Sequence, residues 1–159
     1  VVDDLGTEPL GPRLIARAWT DASFRDSFLE DPITASREAG LPIALQHGAA
    51  LRVVESSPRV HNLVVCTLCS CYPVNVLGLA PAWYKSESYR KRAVEDPRGL
   101  LRRSFDLSIP SSVDIVVWDS NAEQRYLVLP VRPAGTELWA EDDLKRLVTR
   151  DTMIGTALA

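Results

Sequence analysis

Leu14, Ile15, Ala18 and Trp19 recur at helical spacing and predict an apolar helix face near the start of the chain. Asp21 is placed to cap a second short helix carrying Phe24, Phe28 and Leu29. Asp31-Pro32 supplies an N-cap and a first-turn proline for a third, which stops at Gly40. The pattern then changes. Residues 51–54 and 60–65 are short runs rich in β-branched side chains and read as strands, with Ser56-Ser57-Pro58 turning between them. Residues 86–94 predict a helix with a basic face, and Asp96-Pro97 restarts a further turn or two. Residues 113–118 and 125–131 are the clearest strands. The short polar link Asp119-Ser120-Asn121-Ala122-Glu123 predicts a hairpin-like or meander connection and antiparallel pairing. A closing helix over 141–150 has Glu141, Asp142 and Asp143 first and Lys145, Arg146 and Arg150 later, the order that suits the helix dipole. The expected class is α+β: N-terminal helices followed by a layered α-β-β-α core with mostly antiparallel strands.

Composition narrows this picture little. The 159 residues suit one domain, 1–159, in which residues 1–45 form a helical segment packing on the core. The longest apolar stretch, 76–83, is far short of the ~18 residues of a membrane span. No basic start followed by an apolar block marks the chain for export. Lys and Arg number 18 against 21 Asp and Glu, a net charge of −3, which excludes nucleic acid or an anionic membrane as the expected partner.

The informative feature is local. All three cysteines fall within Cys66-Thr67-Leu68-Cys69-Ser70-Cys71, just after a strand and ahead of a helix. A secreted disulfide scaffold would spread an even number along the chain, so one metal or redox site in a reducing, cytoplasmic compartment is expected. Zinc would need a fourth ligand from His47 or His61. An iron–sulfur cluster normally needs four thiolates, and a redox pair would leave Cys71 without a role. A fourth option uses the backbone. The Cys69 and Cys71 sulfurs and the Ser70 and Cys71 amide nitrogens can close small chelate rings in one plane around an ion. Cys66 can take an axial position, and the sixth stays open. Deprotonated amides suit a trivalent cobalt or iron ion better than zinc, and an open site of that kind can polarise a bound group. Spacing alone leaves zinc and plain redox cysteines open beside it.

The residues around the cysteines extend the match. Val65-Cys66-Thr67-Leu68-Cys69-Ser70-Cys71, then Val76-Leu77-Gly78-Leu79 and Ala82-Trp83-Tyr84-Lys85-Ser86, resemble the α subunit of nitrile hydratases. So do Tyr89-Arg90, Val117-Trp118-Asp119, the run from Arg125 to Pro130, Arg132-Pro133-Ala134-Gly135-Thr136-Glu137, Val148-Thr149-Arg150-Asp151 and Ile154-Gly155. The resemblance covers about 11–155, and the cysteine motif is shared with the metal-bearing subunit of thiocyanate hydrolase.

The resemblance implies one non-corrin cobalt(III) ion per chain, in preference to iron(III), held by Cys66, Cys69, Ser70 and Cys71. Thr67 matches the cobalt type. It implies oxidation of Cys69 to the sulfinic and of Cys71 to the sulfenic acid, which makes Cys71 the expected catalytic residue beside the open position. A nitrile is hydrated to its amide, and activity requires a β-type partner subunit in a hetero-oligomer, on which segment 1–45 also packs. The substrate is a small-molecule nitrile.

Departures from the family pattern carry further expectations. Val74 and Asn75 stand where the family usually has Trp-Pro, so Val74 should enlarge the substrate pocket towards bulky aromatic or heterocyclic nitriles. A family glutamine near the site falls on His47, beside Gln46, which makes His47 a candidate substrate contact. Leu138 replaces a usual Gly, and the family's N-terminal arm is expected to be either shorter or outside the given sequence. The four tryptophans are expected in the core or at a subunit interface. His61 is expected to be a hydrogen-bonded structural residue, and the arginines from Arg90 to Arg103 a solvated face. Against the hydratase stand two alternatives: the metal-bearing subunit of thiocyanate hydrolase, and a non-catalytic zinc or redox module.

Overall fold

The computed structural model describes residues 8–45, 48–66 and 74–159. Its first third follows the sequence closely. Helix α1 (Gly11–Thr20) has a proline in its first turn and buries Leu14, Ile15 and Ala18. The Asp21 carboxylate caps α2 (Ala22–Glu30) by accepting from Phe24 N at 3.0 Å. Asp31 caps α3 (Pro32–Glu38) by accepting from Thr34 N at 3.2 Å, and Gly40 leaves the helix at φ 75°.

The strands form at the expected places, as β1 (Ala50–Glu55), β2 (Val60–Cys66), β3 (Asp114–Ser120) and β4 (Gln124–Leu129). Their pairing corrects the expectation of antiparallel strands. β1 pairs with β4, from Ala50↔Gln124 to Glu55↔Leu129, and β2 pairs with β3, from Val60↔Asp114 to Cys66↔Ser120. Both pairs are parallel, in two separate sheets. The turn at 56–58 and the link at 119–123, the latter predicted as hairpin-like or meander, instead carry the chain across from one sheet to the other. After β1, Ser56 N donates to Leu129 O at 2.9 Å and Ser57 N to Val60 O at 2.8 Å, so the chain leaves one ladder and enters the next. After β3, the Asn121 side chain accepts from Glu123 N and Gln124 N, both at 2.9 Å, and turns the chain into β4.

The physical reason lies in burial on both faces, which is usual for parallel strands. Odd-numbered Leu51, Val53, Leu63, Val65, Leu127 and Leu129 join the main core beneath the helices. Even-numbered Val54, Val64 and Val128 pack between the sheets with Trp118 and Tyr126, whose rings lie 5.2 Å apart. A hairpin with one wet face would alternate; these runs do not.

Helices α2 and α3 cover β1, while α5 (Glu87–Glu95) lies on β2 and α6 (Pro97–Phe105) on β3. The expected α+β class is therefore present, as helices packed on two small sheets. Between β2 and α5 come α4 (Val74–Leu77) and a 3-10 turn (Ala82–Lys85). The single C-terminal helix expected over 141–150 is broken. It comprises α7 (Glu141–Leu144), a 3-10 turn (Lys145–Leu147) and α8 (Arg150–Ile154). Val148 is extended, and Thr149 starts α8 with a reciprocal box, Thr152 N to Thr149 Oγ1 and Thr149 N to Thr152 Oγ1. That local alternative ends the preceding turn. α8 then docks on both β2 and β4.

Candidate metal centre

Cys66 is the last residue of β2, opposite buried Ser120 in the parallel register. Two preceding pairs, Val64↔Trp118 and Val65↔Asp119, lead up to it. The chain is next described at Val74, the first residue of α4, whose Val76 and Leu77 are buried in the main core. Asn75 O accepts from Leu10 N at 2.9 Å, which ties α4 to the entry of α1. Both ends of the cysteine segment are thus anchored, one by a strand ladder and the other by a packed helix.

Helix α5 holds this strand end from the side. The Tyr89 hydroxyl donates to Val64 O at 2.9 Å, and Arg90 Nη2 donates to Asp119 Oδ2 at 2.7 Å. Tyr89 sits in an aromatic nest, with Trp83 at 4.8 Å edge to face and Tyr84 and Phe105 beside it. Burial pushes the Tyr89 phenol well above the ordinary tyrosine range, so it stays protonated and remains a donor. The Asp119 carboxylate, by hydrogen bond and charge, raises the Arg90 guanidinium. That pair is half exposed and contributes mainly orientation.

Of the expected site residues, Cys69, Ser70, Cys71 and His47, together with Gln46, lie outside the described residues. Cys66 is half-buried, and Val74 is 52% exposed at the start of α4. His61 is excluded as a zinc ligand beside Cys66. It begins β2 where Cys66 ends it, roughly 16 Å away at strand rise, and its Nε2 bonds Gly155 O at 2.6 Å. Burial lowers the His61 pKa, and the structural role expected for it holds. Among the described residues, no three His, Cys, Asp or Glu side chains gather to hold a metal.

Sequence reasoning missed the grip of α5, because Tyr89 and Arg90 carry no spacing signal that links them to β2 and β3. Nor is the arginine-rich stretch merely a solvated face. Arg98 donates to the carbonyls of Ile109, Pro110 and Val113, which closes the loop into β3. Two of the tryptophans lie in the core, as expected, and one is exposed. Trp83 is in the aromatic nest, Trp118 lies between the sheets, and Trp139 is exposed beside fully exposed Leu138.

Comparison with known proteins decides the family. The family model described as nitrile hydratase, alpha chain, matches residues 2–157. The chain belongs to the nitrile hydratase α-chain family. It is 49% identical over 149 residues to the high-molecular weight cobalt-containing nitrile hydratase subunit alpha of Rhodococcus rhodochrous, covering 94% of this chain and 72% of that one. It is also 45% identical over 166 residues to the thiocyanate hydrolase subunit gamma of Thiobacillus thioparus, covering 99% and 68%. Among solved structures, a double mutant of the Fe-type nitrile hydratase from Comamonas testosteroni Ni1 superposes with a TM-score of 0.87 at 41% identity, over 94% of this chain and 71% of that one. A recombinant thiocyanate hydrolase with partially-modified cobalt centers reaches 0.84 at 45% identity, over 94% and 73%.

The residues of this family member fit a metal of that kind. Cys66 offers a sulfur at the rigid end of a paired strand, and the sequence beyond it supplies further sulfur and amide donors. Around this strand end, Asn75 Oδ1, Arg90 Nε and Asp119 Oδ1 are buried without a hydrogen-bond partner among the described residues. Orphaned polar atoms of this sort accompany sites completed by another component.

Proposed function

We propose that this chain is the metal-carrying catalytic subunit of a nitrile hydratase, working with a β-type partner subunit in a hetero-oligomer. The observation that carries the proposal is the Cys66-Thr67-Leu68-Cys69-Ser70-Cys71 run beginning at the end of β2, within a chain whose residues 2–157 match the family. Water adds across the nitrile triple bond, and the amide leaves. The metal ligands are the Cys66, Cys69 and Cys71 sulfurs with the Ser70 and Cys71 amide nitrogens. Cobalt(III), one per chain, is favoured by the cobalt-containing relatives and by Thr67. When bound, the metal supplies Lewis acidity at neutral pH. Cys69 and Cys71 would be carried as sulfinic and sulfenic acids, and the Cys71 sulfenic oxygen would be a candidate nucleophile for the nitrile.

The remaining roles belong to this chain's other residues. Val74, half exposed on α4, is a small wall where an aromatic one would stand, which favours a bulky aromatic or heterocyclic nitrile. His47 contacts the substrate. Residues 1–45 pack on the core and extend to the partner subunit within a single domain, 1–159. The three clustered cysteines favour a reducing compartment such as the cytoplasm. Among the described residues, no helix is long and apolar enough to cross a membrane.

A second reading, the metal-bearing subunit of a thiocyanate hydrolase, is favoured by the 45% identity to the Thiobacillus subunit. One experiment separates the readings. The chain is co-purified with its partner, its metal and intact mass are measured, and nitriles and thiocyanate are offered as substrates. Cobalt, about 48 Da of added oxygen (three atoms) and amide formation are expected. Zinc with unmodified cysteines would leave only the non-catalytic module, and turnover of thiocyanate alone would establish the second reading.

A further inference from the structure

We propose that Tyr89 is the positioning residue of the cysteine-bearing strand end: by holding the Val64 carbonyl, its hydroxyl sets where Cys66 is presented. The inference rests on the reading of Cys66 as a metal ligand and assigns a function to a residue outside the ligand run. Tyr89 lies on α5, 3% exposed, and its hydroxyl donates to Val64 O at 2.9 Å. Val64 stands two residues before Cys66, roughly 7 Å upstream at strand rise. The neighbouring residue of α5 grips the other strand, through Arg90 Nη2 on Asp119, directly opposite Val65. One helix therefore fixes both strands of the ladder immediately before the cysteine.

Packing alone does not explain the hydroxyl. A phenylalanine would keep the ring contacts with Trp83, Tyr84 and Phe105. What the tyrosine adds is one donor, spent on one backbone oxygen of β2. A buried carbonyl deprived of that donor shifts towards another partner, and the strand residue that follows shifts with it. A ligand sulfur is sensitive to such displacement, because its overlap with the metal depends on distance and angle.

The test uses holo-protein co-purified with its partner subunit and compares Tyr89→Phe with Trp19→Phe. The second substitution is the control. It removes a hydrogen bond of the same length, Trp19 Nε1 to Pro130 O at 2.9 Å, whose acceptor follows β4 and is not a carbonyl of β2. Two readouts are taken: the sulfur-to-metal charge-transfer absorption, and the rate of metal loss to a chelator. Tyr89→Phe is expected to shift the absorption and to speed metal loss roughly fivefold, the worth of one buried hydrogen bond. Trp19→Phe should leave both as in the parent. Parent-like absorption and release in Tyr89→Phe would overturn the inference, as would equal changes in both variants, which would mean general loosening. Cys66→Ser run alongside checks the ligand assignment. Unchanged absorption in that variant would overturn the assignment itself, and this inference with it.

Discussion

Gly155 is where α8 meets β2, and replacing it with alanine tests whether that docking is as close as the structure shows. Gly155 caps α8 at φ 102°, a backbone conformation L side chains rarely adopt. An added Cβ would collide with the Asn62 carbonyl oxygen and would sit 3.0 Å from Asn62 C and Leu63 Cα. All three atoms are backbone in a strand paired to β3, so no flexible side chain can yield. The left-handed conformation costs about 1–2 kcal/mol, and forcing an atom into a packed site about 1–3 kcal/mol more. The expected loss is therefore about 2–5 kcal/mol. Gly40→Ala supplies the comparison, since its φ of 75° is also left-handed while nothing lies within 4 Å of the added Cβ. It should cost only the conformational part, about 1–2 kcal/mol. Urea unfolding of both variants, at unchanged m-value, measures the difference. Equal losses for Gly155→Ala and Gly40→Ala would refute the close approach of α8 to β2.

Other outcomes follow from the site and its surroundings. Cys66→Ser should abolish stable metal retention in the holo-protein, and normal cobalt content by elemental analysis would remove Cys66 from the ligand set. Val74→Trp should penalise bulky aromatic nitriles against acetonitrile-sized ones by ~10–200-fold in kcat/KM; equal losses for both would show that Val74 does not set the size limit. His61, whose pKa burial lowers from 6.5, favours its neutral form in the folded protein. Its contribution should be fully present above 6.5 and decline as pH falls below that value, where the unfolded chain takes up a proton that the folded one resists. Unfolding free energies measured across that range should flatten in His61→Gln, and an unchanged slope would assign the pH dependence to other groups.

Much of this protein is legible in its sequence, because the signals concerned are local. Asp21 and Asp31 cap the helices they were expected to cap, since a carboxylate reaches its own third amide whatever the rest of the chain does. The cysteine run is legible for the same reason: donors two and three residues apart can meet one ion through short stretches of backbone. The resemblance carried by that run and its flanking segments points to the family from the sequence alone. Strand existence was legible too, from β-branched runs at 51–54, 60–65 and 113–118.

Only the tertiary structure decided which strands pair, because pairing depends on what covers each face. The runs His61 to Val65 and Tyr126 to Leu129 lack strict alternation because helices bury one side and the facing sheet the other. The short links at Ser56 and Asn121 therefore cross between sheets, where the length of the second had suggested a hairpin-like or meander connection. The break at Val148 came from competition between a continuing helix and the Thr149–Thr152 box, which spacing of apolar residues does not register. The placing of Tyr89 on Val64, 25 residues away, and of Arg90 on Asp119, 29 away, arises from the same cause. A long-range hydrogen bond has no period in the sequence, so it exists as information only once the helix lies on the sheet.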